Sequence, residues 1–151
     1  MRLLAVIAVV VGLDQLTKYL IASFMSTGQT VTVIPRLLYL TYIQNPGAAF
    51  GLLPYRTIFF IAITLIVMVF MLIYYRALPK SFYIMRLGLA LQLGGALGNL
   101  IDRLRYGQVI DFIDLQFFPP VFNLADSAIV IGVGMFIIAF WRLYPYLERS
   151  S

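Results

Sequence analysis

Four apolar stretches, each long enough to cross a bilayer as a helix, dominate the pattern of hydrophobic and polar positions. A hydrocarbon core of about 30 Å takes about 20 helical residues. The stretches cover approximately residues 3–24, 57–75, 83–101 and 124–142. The pattern therefore predicts a mainly α membrane protein with four transmembrane helices, and we expect residues 1–151 to form a single integral-membrane domain.

Two longer segments, residues 25–56 and 102–123, connect the predicted spans. The first contains two runs of β-branched and aromatic residues on either side of Pro35-Arg36, which predicts a small β-hairpin or sheet at the membrane surface. The second alternates apolar and acidic residues and then reaches Phe117–Pro120, a composition that is typical of an interfacial segment.

The basic residues predict the orientation of the chain. Six of them lie near the ends that we assign to the cytoplasm, and four lie on the opposite side. The first group consists of Arg2, Arg76, Lys80, Arg86, Arg142 and Arg149. Because cytoplasmic loops carry an excess of Lys and Arg, we expect both termini in the cytoplasm and the two longer segments on the outer face.

The composition of the 151-residue chain narrows the class of protein. It is 62% hydrophobic and 11% charged, against roughly a quarter charged in ordinary soluble domains, which excludes a water-soluble globule. The net charge of +5 is spread along the chain without a basic run, so we expect no nucleic-acid partner. Basic residues near the ends of spans instead suit phospholipid headgroups.

The chain contains no His and no Cys, which removes imidazole bases, thiol nucleophiles and the commonest zinc ligands. Chemistry must then use carboxylate, hydroxyl, Lys or Arg side chains. Of the six acidic residues, Glu148 lies in the polar tail. The other five are Asp14, Asp102, Asp111, Asp114 and Asp126.

Two polar residues, Asp14 and Lys18, lie four apart inside the first span, where an ionisable residue costs about 2.5 to 3.5 kcal/mol on insertion scales. They either neutralise each other or brace a polar site. In the third span, Gly94 and Gly98 form a small-xxx-small pair that lets another helix approach closely.

The end of the third span presents an amide, a carboxylate and a guanidinium from Asn99, Asp102 and Arg103. These side chains indicate a site, although interfacial snorkelling also explains Arg103. At the start of the fourth span, Asn123 and Asp126 either cap the helix or belong to the same site.

Topology places four aspartates, at positions 102, 111, 114 and 126, near one membrane face. Two carboxyl groups that face each other at a dry boundary share a proton, which supplies an acid and a base without histidine. Such a pair can activate water for attack on a carbonyl. The residues alone leave all six pairings open, although Asp111 and Asp126 have the most apolar neighbours.

Five motifs, in this order and at this spacing, resemble the motif series of the bacterial lipoprotein signal peptidase family, also called signal peptidase II. The motifs are Asp14–Lys18, Asn45–Phe50, Gly94–Arg103, Val109–Ile113 and Phe122–Ser127. The resemblance implies an aspartic endopeptidase of the bacterial inner membrane. It would cleave diacylglyceryl-modified prolipoproteins on the N-terminal side of the lipidated cysteine, without a metal, a cofactor or a covalent intermediate.

Carried over by motif, the resemblance implies that Asp111 and Asp126 are the catalytic dyad, with the site near the outer face. The residues that would bind substrate or support the dyad are Asp14, Lys18, Asn45, Asn99, Arg103 and Asn123. The expected partners are a lipid-modified prolipoprotein and membrane phospholipids, and we expect a functional monomer. The predicted hairpin and residues 45–53 would clamp the peptide.

Two other classes of protein also accommodate polar residues inside spans. A small ion- or proton-coupled transporter is one, because intramembrane Asp and Lys mark ion pathways. The sequence lacks an inverted repeat and a pair of interrupted spans, and its acidic residues gather at one face. The other is a structural subunit whose polar residues only dock helices, which the packing glycines permit.

Overall fold

The structure, a computed structural model, describes residues 2–47 and 56–148, and within these ranges it contains four long helices and a small sheet. The elements are α1 (Arg2–Phe24), β1 (Thr30–Ile34), β2 (Leu38–Asn45), α2 (Thr57–Ala77), α3 (Tyr83–Tyr106), β3 (Val109–Leu115), β4 (Phe118–Phe122) and α4 (Leu124–Glu148). All four helices are long and apolar enough to cross a membrane. The predicted fold class is confirmed.

The third helix is longer than the sequence pattern predicts, since it ends at Tyr106 and not at residue 101. Charged residues lower the hydropathy of its last turns. The helix continues through them because Asp102 is buried there and forms an ion pair with Lys18 of α1. The helix stops at Gly107, which adopts a left-handed conformation with φ of 71° and donates its N–H to Arg103 O. Glycine accommodates this conformation without a steric penalty.

The segment after α3, predicted as an interfacial segment, forms two strands that join the predicted hairpin. The four strands pair antiparallel in the order β1-β2-β3-β4. In this register Ile43 of β2 lies opposite Asp111 of β3. Two prolines, Pro119 and Pro120, occupy β4, which suits an edge strand because proline donates no N–H to a further strand.

Glycines allow α3 to pack closely against two neighbouring helices. A Cβ added at Gly94 would lie 2.8 Å from the Cβ of Val10 on α1, so the predicted small-xxx-small face contacts α1. On the opposite side, a Cβ added at Gly88 would lie 2.6 Å from the carbonyl oxygen of Gly132 on α4. The central position of α3 brings the polar end of this helix between α1 and α4.

Substitution of Gly95 tests this close packing. A Cβ at Gly95 would collide with the carbonyl oxygen of Ala125 and lie 2.8 Å from Ile129 Cγ1. We expect Gly95→Ala to lower the free energy of unfolding in detergent by about 1 to 3 kcal/mol, the usual cost of overpacking. Gly12→Ala on α1 is the control, since a Cβ there meets no atom within 4 Å. Equal thermal midpoints for the two variants would contradict the packing.

Candidate active site

A cavity of about 490 Å³ lies where the C-terminal end of α3 meets β3, β4 and the first turns of α4. Asp111 from β3 and Asp126 from α4 line it, together with Asn45, Asn99 and Arg103. The apolar part of its lining includes Pro120, Val121, Ile129 and Val130. Two of the four outer aspartates therefore share one cavity.

Two amide side chains hold the Asp111 carboxylate. Asn123 Nδ2 donates to Asp111 Oδ1 at 2.7 Å, and Asn45 Nδ2 donates to Asp111 Oδ2 at 2.9 Å. Burial raises the pKa of Asp111 to about 7, against the opposing effect of the Asn45 hydrogen bond and with a further contribution from repulsion by Asp126. A carboxyl group in this state exchanges its proton near neutral pH.

The Asp126 carboxylate is held in a similar way by two N–H donors. Asn99 Nδ2 donates to Oδ1 at 2.7 Å, and the backbone N–H of Asn123 donates to Oδ2 at 3.2 Å. Asn123 Oδ1 in turn accepts the backbone N–H of Asp126 at 2.9 Å. This reciprocal pair caps α4, so Asp126 takes part in helix capping and lines the cavity at the same time.

A buried ammonium group lies beneath the cavity and joins α1 to α3. Lys18 is 2% exposed, and its Nζ lies 2.9 Å from Asp14 Oδ2 and 2.8 Å from Asp102 Oδ2. The same nitrogen donates to Asn99 Oδ1 at 2.9 Å. Three acceptors match the three donors of an ammonium group. The Asp14–Lys18 pair expected from the helical spacing is present, but α3 supplies the other two partners.

The two carboxylates beside Lys18 also fix the backbone next to the cavity. Asp14 Oδ1 accepts the N–H of Ala125 at 3.0 Å, and Asp102 Oδ2 accepts the N–H of Ile110 at 3.1 Å. Each of these N–H groups belongs to the residue directly before a cavity aspartate. The buried charges therefore position the backbone beside both aspartates that line the cavity, Asp111 and Asp126.

Arg103 closes one side of the cavity. Its Nη2 donates to Gly47 O at 3.3 Å, and its guanidinium carbon lies 5.2 Å from the ring centre of Phe60. It interacts electrostatically with both cavity aspartates. These contacts anchor the guanidinium in the site, whereas snorkelling alone would leave it free at the membrane surface.

Two of the outer aspartates do not reach the cavity. Asp102 faces Lys18, and Asp114 accepts a hydrogen bond from Thr41 Oγ1 at 2.8 Å on the sheet. Sequence reasoning did not include Gln15 among the candidate site residues, although its Nε2 donates to Asp102 Oδ1 at 2.8 Å and to Gly98 O at 3.3 Å. Its polarity inside an apolar span is the signal that indicates a buried partner.

The residue most closely connected with the expected clamp is Asn45, which ends β2 and contacts Asp111. Its Oδ1 also accepts the N–H of Gly47 at 3.0 Å. The hairpin of the expected clamp corresponds to β1 and β2, whereas residues 48–53 of the clamp lie outside the described part of the chain.

The fold and the site together define a class: a multi-pass membrane protein with two hydrogen-bonded carboxyl groups in one cavity, as in aspartic peptidases. Residues 6–142 match the family described as signal peptidase (SPase) II. The chain is similar to the lipoprotein signal peptidase of Moorella thermoacetica, with 50% identity over 95% of this chain and 93% of that one. The lipoprotein signal peptidase of Pelotomaculum thermopropionicum is 47% identical over 100% and 97%.

The fold is also similar to that of a solved membrane enzyme. A bacterial membrane enzyme structure determined by the in meso method at 2.3 Å resolution matches with a TM-score of 0.89 and 38% identity, over 95% of this chain and 89% of that one. The chain belongs to the signal peptidase II family. It is an aspartic peptidase that cleaves the signal peptides of prolipoproteins, and the resemblance seen in its motifs is confirmed.

The raised pKa of Asp111 predicts a pH dependence of stability. Asp has a pKa of about 3.9 in an unfolded chain, so between pH 4 and 7 this residue binds more protons in the folded protein than in the unfolded chain. The contribution of Asp111 to the free energy of unfolding therefore falls as the pH rises through this window and levels off above the folded-state pKa of about 7.

Asp111→Asn removes this titration, so we expect a weaker decline between pH 4 and 7 than in the wild type, measured by unfolding in detergent. Asp114→Asn is the matched control, because it removes a carboxylate from the same strand outside the cavity. An equal change of slope in both variants would contradict the assignment to Asp111.

Proposed function

We propose that Asp111 and Asp126 are the catalytic dyad, and that the bond they hydrolyse lies just before the diacylglyceryl-modified cysteine of a prolipoprotein. The observation that carries this proposal is the placement of both carboxyl groups in one cavity, each hydrogen-bonded by amide donors. The motif resemblance supports the same two residues.

In the proposed reaction, the ionised carboxylate of the dyad takes a proton from a water molecule, and the water oxygen attacks the scissile carbonyl carbon. The protonated partner donates a hydrogen bond to the developing oxyanion, as a neutral carboxyl group does in a dry site. The carboxyl group that received the water proton then donates it to the leaving nitrogen, and the carbon–nitrogen bond breaks as the oxyanion re-forms a carbonyl, which gives a carboxylic acid and a free amine. The elevated pKa of Asp111 supports this cycle, because it keeps proton exchange accessible near neutral pH.

The apolar side of the cavity suits a lipid-anchored substrate. Val130 and Ile131 of α4 line the cavity and are 70% and 57% exposed at the apolar surface. Acyl chains and an apolar signal peptide can rest there while the scissile bond meets the carboxyl groups. Asn45 and Arg103, at the polar side of the same cavity, would hold the substrate backbone.

The membrane orientation in this proposal follows the basic residues. Both termini lie in the cytoplasm, the site lies near the outer face of the bacterial inner membrane, and residues 1–151 act as one domain. Four apolar helices support a multi-pass arrangement. The protein works as a monomer in contact with phospholipids, since both carboxyl groups of the site come from one chain.

The proposal predicts the effect of removing either carboxylate. We expect Asp111→Asn and Asp126→Asn each to lower the rate of prolipoprotein cleavage in detergent by about 100-fold or more, since general acid–base catalysis contributes roughly 10² to 10⁴. Asp126→Asn should remain folded because the amide oxygen of asparagine can still accept the backbone N–H of Asn123, the capping residue of α4. Asp114→Asn is the control and should cleave normally. Normal cleavage by either dyad variant would disprove the assignment.

A second variant tests the role of Arg103. Lysine keeps the positive charge but loses the planar group that contacts Gly47 O and Phe60. We expect Arg103→Lys to lower kcat/KM by about 10- to 100-fold, the effect of one charged hydrogen bond. Arg105→Lys is the matched control on the same helix. A loss of folding in Arg103→Lys, seen in the thermal midpoint, would instead indicate a structural role.

A further inference from the structure

A second cavity, of about 600 Å³, lies at the opposite end of α3 from the active site. It is formed by the first residues of α1, the end of α2, the link between α2 and α3, and the first turns of α3. Its polar lining consists of Tyr75, Lys80, Tyr83 and Arg86. The helical rise of about 1.5 Å per residue places Arg86 roughly 20 Å from Asn99, so this cavity is separate from the catalytic one.

The charge in this cavity is positive. Lys80 is exposed, and within residues 2–47 and 56–148 its ammonium group has no hydrogen-bond or ion-pair partner. Arg86 is held in place because its Nη1 donates to Tyr75 O at 2.9 Å and to Leu78 O at 2.6 Å. Among the residues that the structure describes, no acidic side chain lines the cavity, so none of these residues neutralises the two cations.

The start of α3 adds to this positive potential. The helix begins at Tyr83 without a side-chain cap, and its first turn contains no acidic residue. The first N–H groups of a long helix carry a partial positive charge. Two basic side chains and an uncapped helix start therefore point to an anionic ligand.

The rest of the lining is apolar and continuous with the surfaces of two membrane-spanning helices. This part consists of Leu3, Ala5 and Val6 of α1 and Leu87 and Ala90 of α3. Leu87 is 39% exposed, so the wall opens toward the surface that lipid covers. A ligand that fits both parts has an anionic head and an apolar tail, which describes a phospholipid and not a soluble anion.

We infer that this second cavity is a binding site for an anionic glycerophospholipid, distinct from the substrate site. The phosphate lies at Lys80, Arg86 and the start of α3, and an acyl chain follows the groove between α1 and α3. In the proposed orientation the lipid belongs to the cytoplasmic leaflet. Basic pockets between membrane-spanning helices bind the headgroups of anionic lipids in this way.

Lipid binding to the purified full chain in detergent tests this inference. We would measure the occupancy of phosphatidylglycerol, with phosphatidylcholine as the zwitterionic comparison, by native mass spectrometry. Wild type should prefer phosphatidylglycerol, and Lys80→Gln should weaken its binding by about fivefold, the effect of one basic residue near an anionic lipid. Lys80→Arg should restore binding because it keeps the charge.

Arg76→Gln is the matched control, since Arg76 is an exposed basic residue at the same end of the molecule outside the cavity lining. It should bind phosphatidylglycerol as wild type does, and both glutamine variants should cleave substrate normally. An equal loss of phosphatidylglycerol binding in the two variants would show that the effect comes from general surface charge, and this would overturn the proposal. Equal binding of the two lipids, or displacement by inorganic phosphate at millimolar concentration, would also overturn it.

Discussion

The ion pairs of Lys18 are the interaction on which the rest of the structure depends. A buried charge is costly unless it is paired and fully hydrogen-bonded, and Lys18 meets this condition only when α1 and α3 pack in one relative position. Asp14 then reaches the first turn of α4, and Asp102 reaches β3. Removal of Lys18 would leave the buried Asp14 and Asp102 carboxylates without their cation, so this residue holds the helices and the sheet in a single arrangement.

The same interaction orients the amide side chains of the site. Lys18 is only a donor, so Asn99 must turn its oxygen toward it, and the Asn99 nitrogen then points at Asp126. Asn123 is fixed likewise, because its oxygen accepts a backbone N–H of α4 and its nitrogen is left to donate to Asp111. Every buried side-chain nitrogen and oxygen in the described ranges has a partner. The donors that face the two carboxyl groups are therefore preorganised.

Much of this arrangement follows from the sequence, and the exceptions have physical reasons. Hydropathy predicts the four helices, but it ends α3 too early because the charge of Asp102 is neutralised by a partner from a distant part of the chain. The sequence leaves the choice among the outer aspartates open because the composition of the second outer segment indicates an interfacial segment and not strands. Asp111 and Asp114 are three residues apart, and in a strand such residues point to opposite faces. Because both residues lie on β3, only one of them can face a given cavity.

The charge balance of the buried cluster explains how carboxyl groups alone can supply an acid and a base. Four carboxyl groups lie near two cations, which leaves an excess of two negative charges when all are ionised. The members of the cluster are Asp14, Asp102, Asp111, Asp126, Lys18 and Arg103. One proton halves this excess, and a weakly polar interior favours its uptake. Asp14 and Asp102 contact an ammonium group directly, whereas the hydrogen bonds to the proposed dyad come from amide groups. Burial raises the pKa of Asp111 to about 7, which favours a proton in the cavity, where the proposed catalysis requires it.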